Sequence, residues 1–334
     1  MKSGYERADR SGVSPEHKAA GVSGPRLLSS YRFVDYATQA YVAVVGLLIL
    51  VFHNRTVPHW GALVGAHAAV LVCLHLLVGT RSRTEGRPQP ILRFLCDFYP
   101  VLLYAGFYAE TGSLNRMFIQ EYLDPMAIRC DQALFGFQPS LRFMEKLPLL
   151  AVSELFYASY FSYYIMIAGV GVALYRKSRG AFFHYISVVS FVFYICYLCY
   201  IVLPIIGPPV FFGHIAGYHL PVAYQALEAY AYYPKAVQSG PFYHLMGFIY
   251  RFFEAPGAAL PSSHVAVALC TVFFSFLYLR PLRYPHLIVA LLLCAATVYC
   301  RYHYVIDVLS GALTALLLVP LGTRLYRKVD GLQR

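Results

Sequence analysis

Two histidines and an aspartate have the residue types and the spacing that nucleophilic and acid–base catalysis require. His303 and Asp307 are four residues apart, so a helix through this stretch would place them on one face, within reach of each other. A carboxylate bonded to one imidazole nitrogen fixes the tautomer and leaves the other nitrogen free as a nucleophile. Asp307 also lies within an apolar stretch, where an ionisable group is usually paired. We therefore predict that Asp307 orients His303 for nucleophilic attack.

The second histidine, His264, follows Pro261-Ser262-Ser263 at the start of another apolar stretch. Serine hydroxyls cap free N–H groups at a helix N-terminus, and such N–H groups bind anions together with the positive end of the helix dipole. This arrangement predicts that Ser262 and Ser263 bind a phosphate, with His264 beside it as the general acid. Arg301 would serve as a further phosphate clamp. An interfacial histidine is usually only a hydrogen-bonded side chain, so the prediction depends on motif, spacing and membrane side agreeing.

The composition indicates that these residues are positioned by membrane-spanning helices. Of the 334 residues 59% are hydrophobic and 13% are charged, against roughly a quarter charged in a soluble domain. Since a helix needs about 20 apolar residues to cross a bilayer, we predict an all-α, polytopic transmembrane helix bundle of about eight spans. The predicted spans are 34–52, 58–79, 91–109, 149–174, 181–206, 259–279, 285–302 and 304–323.

The distribution of positive charge predicts the orientation of this bundle. Nine Lys and Arg residues fall within the 26 residues of loops 80–93, 175–180 and 280–285, and eight fall within the 100 residues of the remaining loops. Lys and Arg are enriched in cytoplasmic loops, so both termini are expected in the cytoplasm and the two histidines at the non-cytoplasmic face. This pattern also accounts for the net charge of +11 without a nucleic-acid partner.

The outer loops are too long to be simple turns. Segment 207–258 carries 13 Phe or Tyr in 52 positions, and aromatic residues favour the membrane interface. It forms either a lid over the site or an aromatic belt with no role in substrate binding, while segment 110–148 favours an interfacial helix. Glu154 and Tyr157, near the outer end of a span, are predicted to border the site. The predicted organisation is a disordered basic cytoplasmic tail (1–33), two additional N-terminal helices (34–90), a six-helix catalytic core (91–323) and a second basic tail (324–334).

Two motifs resemble those of a known family. PSSH at 261–264 and HxxxD at 303–307 are similar to the second and third motifs of the type 2 phosphatidic acid phosphatase superfamily. DQALFG at 131–136, and Pro204 with Gly207-Pro208 in YIVLPIIGPP, resemble in particular the branch of inositol phosphorylceramide synthase-like lipid phosphotransferases. Each motif is short, but together they occur in order and on one predicted side of the membrane.

The resemblance implies a phosphatase-like six-helix core in which His303 attacks phosphorus, Asp307 orients it and His264 protonates the leaving oxygen. It also places Gly207 and Pro208 at the border of the site. The sequence departs from the family pattern because the first-motif stretch 203–209 has no cation. Ala296-Thr297 also stands where a Ser-Arg pair is expected. Fewer fixed cations favour a phosphodiester over a monoester, and thus a headgroup transferase over a phosphatase.

We predict an integral membrane enzyme that transfers a phosphoryl group from a membrane lipid phosphate through a phospho-histidine intermediate. The acceptor is water in a phosphatase, or an alcohol in a headgroup transferase of the inositol phosphorylceramide synthase type, and both remain open. No metal or other cofactor is expected, because histidine and cationic groups supply the stabilisation. A lipid transporter would account equally well for eight spans and a basic inner face. It would leave the pairing of His264 with His303 and Asp307 unexplained.

Overall fold

The fold is an all-helical bundle, given by a computed structural model that describes residues 31–84, 90–213, 220–253 and 257–331. The helices are α1 (Phe33–Phe52), α2 (Trp60–Thr84), α3 (Pro90–Leu114), α4 (Asp124–Phe135), α5 (Pro139–Lys146), α6 (Leu150–Lys177), α7 (Arg179–Val202), α8 (Pro208–Phe211), α9 (Val222–Glu228), α10 (Lys235–Gln238), α11 (Pro241–Phe253), α12 (Ser263–Tyr278), α13 (Arg283–Tyr299) and α14 (Val305–Gly331). The predicted all-α class is confirmed. Almost all of the predicted N-terminal tail, 1–33, lies outside the described residues.

Seven of these helices are long and apolar enough to cross a membrane: α1, α2, α3, α6, α7, α13 and α14. The chain is therefore a multi-pass membrane protein. Eight spans were predicted, and the difference is α12, an apolar helix of only 16 residues. It begins at Ser263 and not at 259, because Ala259 is still extended and donates its N–H to the carbonyl of Ile205 at 3.1 Å.

Two central helices, α7 and α12, hold the bundle together. Helix α7 packs against α1, α3, α6, α12 and α14, and α12 packs against α6, α7, α13 and α14. Both are apolar on all sides, as expected of helices surrounded by other helices. The N-terminus of α12 and the loop between α13 and α14 lie at the same end of the bundle, so the packing brings the two predicted motifs together.

The opposite end of the bundle is held by ion pairs of two buried aspartates. Asp35 pairs with Arg81 and Asp97 pairs with Arg179, which ties α1 to α2 and α3 to α7. Helix α14 continues to Gly331 and so includes residues 324–331 of the predicted basic C-terminal tail, whose cytoplasmic location stays a prediction. The helix continues because its last turns are packed: Asp330 is buried and accepts the backbone N–H of Phe33 at 2.8 Å.

The two long outer segments form short helices over the end that carries the motifs. In 110–148, α3 extends to Leu114 and is followed by α4 and α5, so two helices replace the single interfacial helix expected there. In 207–258 the described residues form α8, α9, α10 and α11. Both segments thus contribute structure around the predicted site.

Candidate active site

His303 and Asp307 are in contact, but not through a shared helix face. His303 lies in the loop before α14, where its N–H donates to the carbonyl of Thr297 at 3.0 Å. Its Nδ1 is 3.3 Å from Oδ2 of Asp307, and the same oxygen accepts the N–H of Tyr304 at 3.0 Å. A turn takes the place of the helix face that was expected. Asp307 lies in the first turn of α14, and its side chain caps this helix by accepting the N–H of Tyr304, the residue after His303. The pairing itself fixes Nδ1 as the donor and leaves Nε2 free.

The N-terminus of α14 is fixed by a residue far away in the sequence. Asp131 in α4 accepts the N–H of Val305 at 2.8 Å and that of Ile306 at 3.0 Å, and it is fully buried. A carboxylate at a helix N-terminus stabilises the helix through these bonds and through the helix dipole. Asp131 was singled out in the sequence only as part of a family-like motif, and its capping role had no local signal.

Ser262 connects the two motifs. Its Oγ lies 3.2 Å from Nε2 of His303 and accepts the N–H of Val265 at 3.4 Å, as the predicted N-cap of α12. Its own N–H donates to the carbonyl of Asp307 at 3.0 Å. Ser263 is also buried, and its N–H donates to the hydroxyl of Tyr200 at 3.0 Å. The Ser262 hydroxyl therefore contacts Nε2 of His303, the atom predicted to attack phosphorus.

His264 faces the same space from the first turn of α12. The centroids of the His264 and His303 rings are 5.8 Å apart. Nε2 of His264 lies 3.0 Å from the hydroxyl of Tyr160, and the imidazole packs on the ring of Tyr163 at 4.4 Å. Two imidazoles on different elements thus border one gap, which is the arrangement that a nucleophile and a general acid need around a reacting atom.

A glycine in α14 allows the two motifs to approach this closely. A Cβ at Gly311 would lie 2.5 Å from the carbonyl oxygen of Ser262 and 3.1 Å from Cβ of Val265. Gly311→Ala must therefore displace the start of α12 and move Ser262 from His303. Because a shift of about 1 Å can cost about 10²-fold in rate, we expect a loss of that order in kcat.

The matched control for this prediction is Gly169→Ala, since nothing lies within 4 Å of a Cβ built at Gly169 in α6. Steady-state kinetics and thermal unfolding of both variants check the prediction. Wild-type kcat in a folded Gly311→Ala protein would contradict it.

Arg301, the predicted phosphate clamp, donates to backbone carbonyls of the outer segments. Its side chain is buried, and its terminal nitrogens donate to the carbonyls of Tyr232 at 2.7 Å and Leu141 at 3.2 Å. Its φ of 66° makes the turn between α13 and α14, a turn for which the sequence shows neither Gly nor Pro. Burial lowers the pKa of the guanidinium. Arg301 therefore connects the outer segments to the His303 loop, and phosphate binding by it stays a prediction.

Glu154 and Tyr157 contact elements that are next to the site. The carboxylate of Glu154 accepts the N–H of Phe242 at 2.9 Å and so caps α11. Tyr157 is buried with its ring edge toward Tyr302, the neighbour of His303, at 6.2 Å between centroids. Glu154 is thus connected to the site through α11 and Tyr157 through Tyr302, and no contact of either with an imidazole is observed among the described residues.

Gly207 and Pro208 lie against the other side of the His303 loop. Gly207 has φ of 81°, and a Cβ there would lie 2.9 Å from the carbonyl oxygen of Tyr302. Pro208 begins α8 and is buried. The N–H groups of Ile206 and Gly207 both donate to the carboxylate of Asp124 at 2.9 Å. This places the first-motif stretch next to the third motif, as its predicted position at the site border requires.

Comparison with known proteins identifies the family of this chain. A family model described as the PAP2 superfamily matches residues 128–321, which is more than half of the 334-residue chain. The chain belongs to the PAP2 superfamily. No curated protein and no solved structure matches it.

The PAP2 superfamily match covers most of α4, all of α5 through α13, and α14 as far as residue 321. It therefore includes His264, His303 and Asp307, and it leaves α1, α2 and α3 outside. PAP2 superfamily members are generally phosphoryl-transfer enzymes, and membership supports a phosphatase or phosphotransferase acting on lipid-type substrates. The predicted inositol phosphorylceramide synthase-like branch, and a core that starts at 91, stay predictions. Within the described part of the chain, no cluster of three or more His, Cys, Asp or Glu residues could hold a metal ion.

A largely apolar cavity opens beside His264. Its volume is about 550 Å³, and it runs between α3, α6, α7 and α11 down the side of the bundle. Tyr104 and Tyr108 line it on one side, Phe161 and Phe252 on the other, and it reaches His264 at one end. A cavity of this size falls in the range of small-molecule sites. Its lining suits a hydrocarbon chain better than a polar group.

Proposed function

We propose that this PAP2 superfamily protein transfers a phosphoryl group from a membrane lipid phosphate by way of a phospho-histidine at His303. The observation that carries the proposal is the chain of contacts from Asp307 through His303 to Ser262, with the ring centroid of His264 5.8 Å from that of His303. A carboxylate-oriented imidazole whose free nitrogen faces a second imidazole has the parts of covalent catalysis with a general acid.

In the first step Nε2 of His303 forms a bond to phosphorus while the bond from phosphorus to the alcohol oxygen breaks. His264 donates a proton to the departing oxygen, so the lipid leaves as a neutral alcohol. The Ser262 hydroxyl, released from Nε2, donates to a phosphate oxygen. The N–H groups at the start of α12 add partial positive charge. Asp307 balances the positive charge that develops on the imidazole of His303.

In the second step water or an alcohol attacks the phospho-histidine. His264, now neutral, takes the proton of the attacking hydroxyl, and the bond between Nε2 and phosphorus breaks. This returns His303 to its neutral form and His264 to its protonated form, ready for another lipid. The protein needs no further reactant for this cycle, because the proton released in the second step replaces the one consumed in the first.

The apolar cavity supports a lipid as the donor and supports its orientation. Because His264 lines the cavity and His303 is not among its lining residues, a hydrocarbon chain within it places the lipid alcohol on the side of the general acid. The lipid part would then be the leaving group, and the phosphoryl group would stay on the enzyme. Helix α11, which contributes Ile249 and Phe252 to the cavity wall, lies between the lipid and the outer solution.

A headgroup transferase is the second candidate, and a specific observation favours it. The stretch 203–209 has no cation, and Arg301 already donates to two carbonyls. A phosphodiester carries one negative charge where a monoester carries two, so it requires fewer cations at the site. In this reaction the alcohol of a second molecule replaces water in the second step.

Purified protein incubated with a panel of radiolabelled lipid phosphates and phospholipids, with and without candidate alcohols, tests the proposal. Release of inorganic phosphate identifies a phosphatase, and a labelled headgroup on the added alcohol identifies a transferase. If no lipid gives a product and the protein moves lipids across a vesicle bilayer, the enzymatic function is contradicted and a lipid transporter is supported.

The site is proposed to face the non-cytoplasmic side, which gives a separate prediction. Ser239 and Ser178 are both exposed and lie at opposite ends of the bundle. In a background without native cysteines, we expect an impermeant thiol reagent to label Ser239→Cys on intact cells. Ser178→Cys should react only after permeabilisation. The reverse labelling would place the site in the cytoplasm.

A further inference from the structure

A buried carboxylate in α4 connects three parts of the site. Asp124 has no exposed surface and accepts three hydrogen bonds. Its Oδ2 accepts the N–H of Ile206 at 2.9 Å, and its Oδ1 accepts the N–H of Gly207 and the hydroxyl of Tyr304, both at 2.9 Å. Burial of a carboxylate is costly unless hydrogen bonds compensate, and here they come from three positions far from Asp124 in the sequence.

Each of these donors belongs to a segment next to the imidazoles. Tyr304 directly follows His303, and its own N–H donates to the Asp307 oxygen that holds His303. Gly207 packs against the carbonyl of Tyr302, which precedes His303. The neighbouring Ile205 accepts the N–H of Ala259 at 3.1 Å, on the strand-like stretch that leads into α12. A shift of Asp124 would therefore move both sides of the site.

We propose that Asp124 is a positioning residue, which holds the Ile206–Gly207 backbone and Tyr304 in register so that Asp307 keeps His303 aimed at phosphorus. The proposal rests on the function proposed above. Asp124 does not touch the imidazoles and contributes through Tyr304 and Gly207. The family match begins at 128, so this residue lies outside the matched region.

The charge state of Asp124 gives this role a measurable signature. Burial and, to a smaller extent, the charge of Asp307 raise the pKa of its carboxyl, the bonds from Ile206, Tyr304 and Gly207 lower it, and the net result is a pKa of about 7. The titratable groups that face it are Tyr304 in the loop and Asp307 in α14. If the Asp124 carboxyl were protonated, its O–H would face the donors of Ile206, Gly207 and Tyr304, and at least one of these hydrogen bonds would be lost. We therefore expect correct positioning above pH 7 and its loss below.

Stability should change with pH in the opposite direction. A carboxyl whose pKa is raised on folding stabilises the folded state fully below its unfolded pKa of about 4. That contribution is lost as the pH rises through about 7. Activity and stability should thus diverge over this interval, because the ionised form that positions the loop is the form that burial disfavours.

The test compares Asp124→Asn and Tyr304→Phe with wild type in full-length protein, using the lipid that wild type turns over. The amide has a similar size, but its Nδ2 would face a donor. We expect kcat of Asp124→Asn to fall on the order of 10- to 100-fold, the size of a small misplacement, with KM changed much less. The ratio of wild-type to variant kcat should grow as the pH rises through 7, because the Asp124 carboxyl of wild type becomes ionised and the amide of the variant does not.

The matched control is Asp97→Asn, a buried acid at the other end of the bundle that pairs with Arg179. It should lower the thermal midpoint without changing kcat of the folded protein or its pH profile. If Asp124→Asn does not fold, Tyr304→Phe carries the test by removing one donor only. A pH-independent ratio, or an unchanged kcat in a folded variant, overturns the positioning role while the function stands. Absence of wild-type turnover would refute the function itself and this inference with it.

Discussion

Replacement of His303 by alanine is expected to abolish lipid phosphate turnover, and a better leaving group should not restore it. The imidazole supplies the atom that bonds phosphorus, and its Nε2 is the nitrogen left free by the contact of Nδ1 with Asp307. No property of the leaving group replaces a missing nucleophile. The measurement is turnover of a natural lipid phosphate and of a nitrophenyl phosphate ester by purified His303→Ala protein.

His264→Ala gives the complementary result. General acid catalysis contributes about 10²–10⁴-fold, so hydrolysis of the natural lipid should fall by that amount. A nitrophenolate leaves without protonation, so the nitrophenyl ester should recover much of the lost rate of the first step, measured as the initial burst of nitrophenolate, while the second step stays slow without His264. His286→Ala is the matched control, since this buried histidine bonds to Thr271 and Ser275 away from the site. Equal recovery in both site variants would mean that the two roles are assigned wrongly.

Removal of the orienting carboxylate should have the next largest effect. Asp307→Ala leaves His303 without a partner for Nδ1 and leaves the N–H of Tyr304 without its acceptor. Loss of such a carboxylate from a catalytic triad costs about 10⁴-fold in kcat, and we expect a loss of that order. Asp307→Asn should lose a similar amount, because its amide N–H can donate to Nδ1 and so hold the imidazole in the tautomer whose Nε2 is protonated.

The rate of each step distinguishes this role from a structural one. In rapid-quench measurements Asp307→Ala should slow the formation of the phosphorylated enzyme, since the imidazole is misaligned and its positive charge is uncompensated. The thermal midpoint of Asp307→Asn serves as the control for folding. Normal formation of phosphorylated enzyme by Asp307→Ala would contradict the orienting role.

Short-range patterns in the sequence predicted the parts of the site that depend on neighbouring residues. Pro261 followed by two serines predicted the N-terminus of α12, and Ser262 is its cap. Spacing predicted the contact of His303 with Asp307, although a turn and not a helix face produces it. Hydropathy predicted the spanning helices, because the bilayer demands an apolar stretch of a given length whatever the fold.

Contacts between distant segments could not be predicted in this way. Asp124 bonds to residues 82 and 83 positions away, and Asp131 to residues 174 and 175 positions away. A single buried Asp in an amphipathic stretch has the same local appearance whether it faces water or a helix end. Arg301 was predicted to bind phosphate because it is near His303 in the sequence. The orientation of its side chain, however, depends on the carbonyls of the outer segments to which it donates. Only the packed bundle decides these partners.

The central claim is that phosphorus bonds to His303 during the reaction. Its most direct test is mass spectrometric mapping of the protein after rapid quenching with a lipid phosphate, with the sample kept alkaline to preserve phospho-histidine. We expect a phosphoryl group on His303 in wild type. With the nitrophenyl ester, His264→Ala should carry a larger amount of it, because the second step is slow without His264. It should be absent from His303→Ala. A phosphoryl group on His264 or Ser262, or turnover without any phosphorylated residue, would contradict the claim.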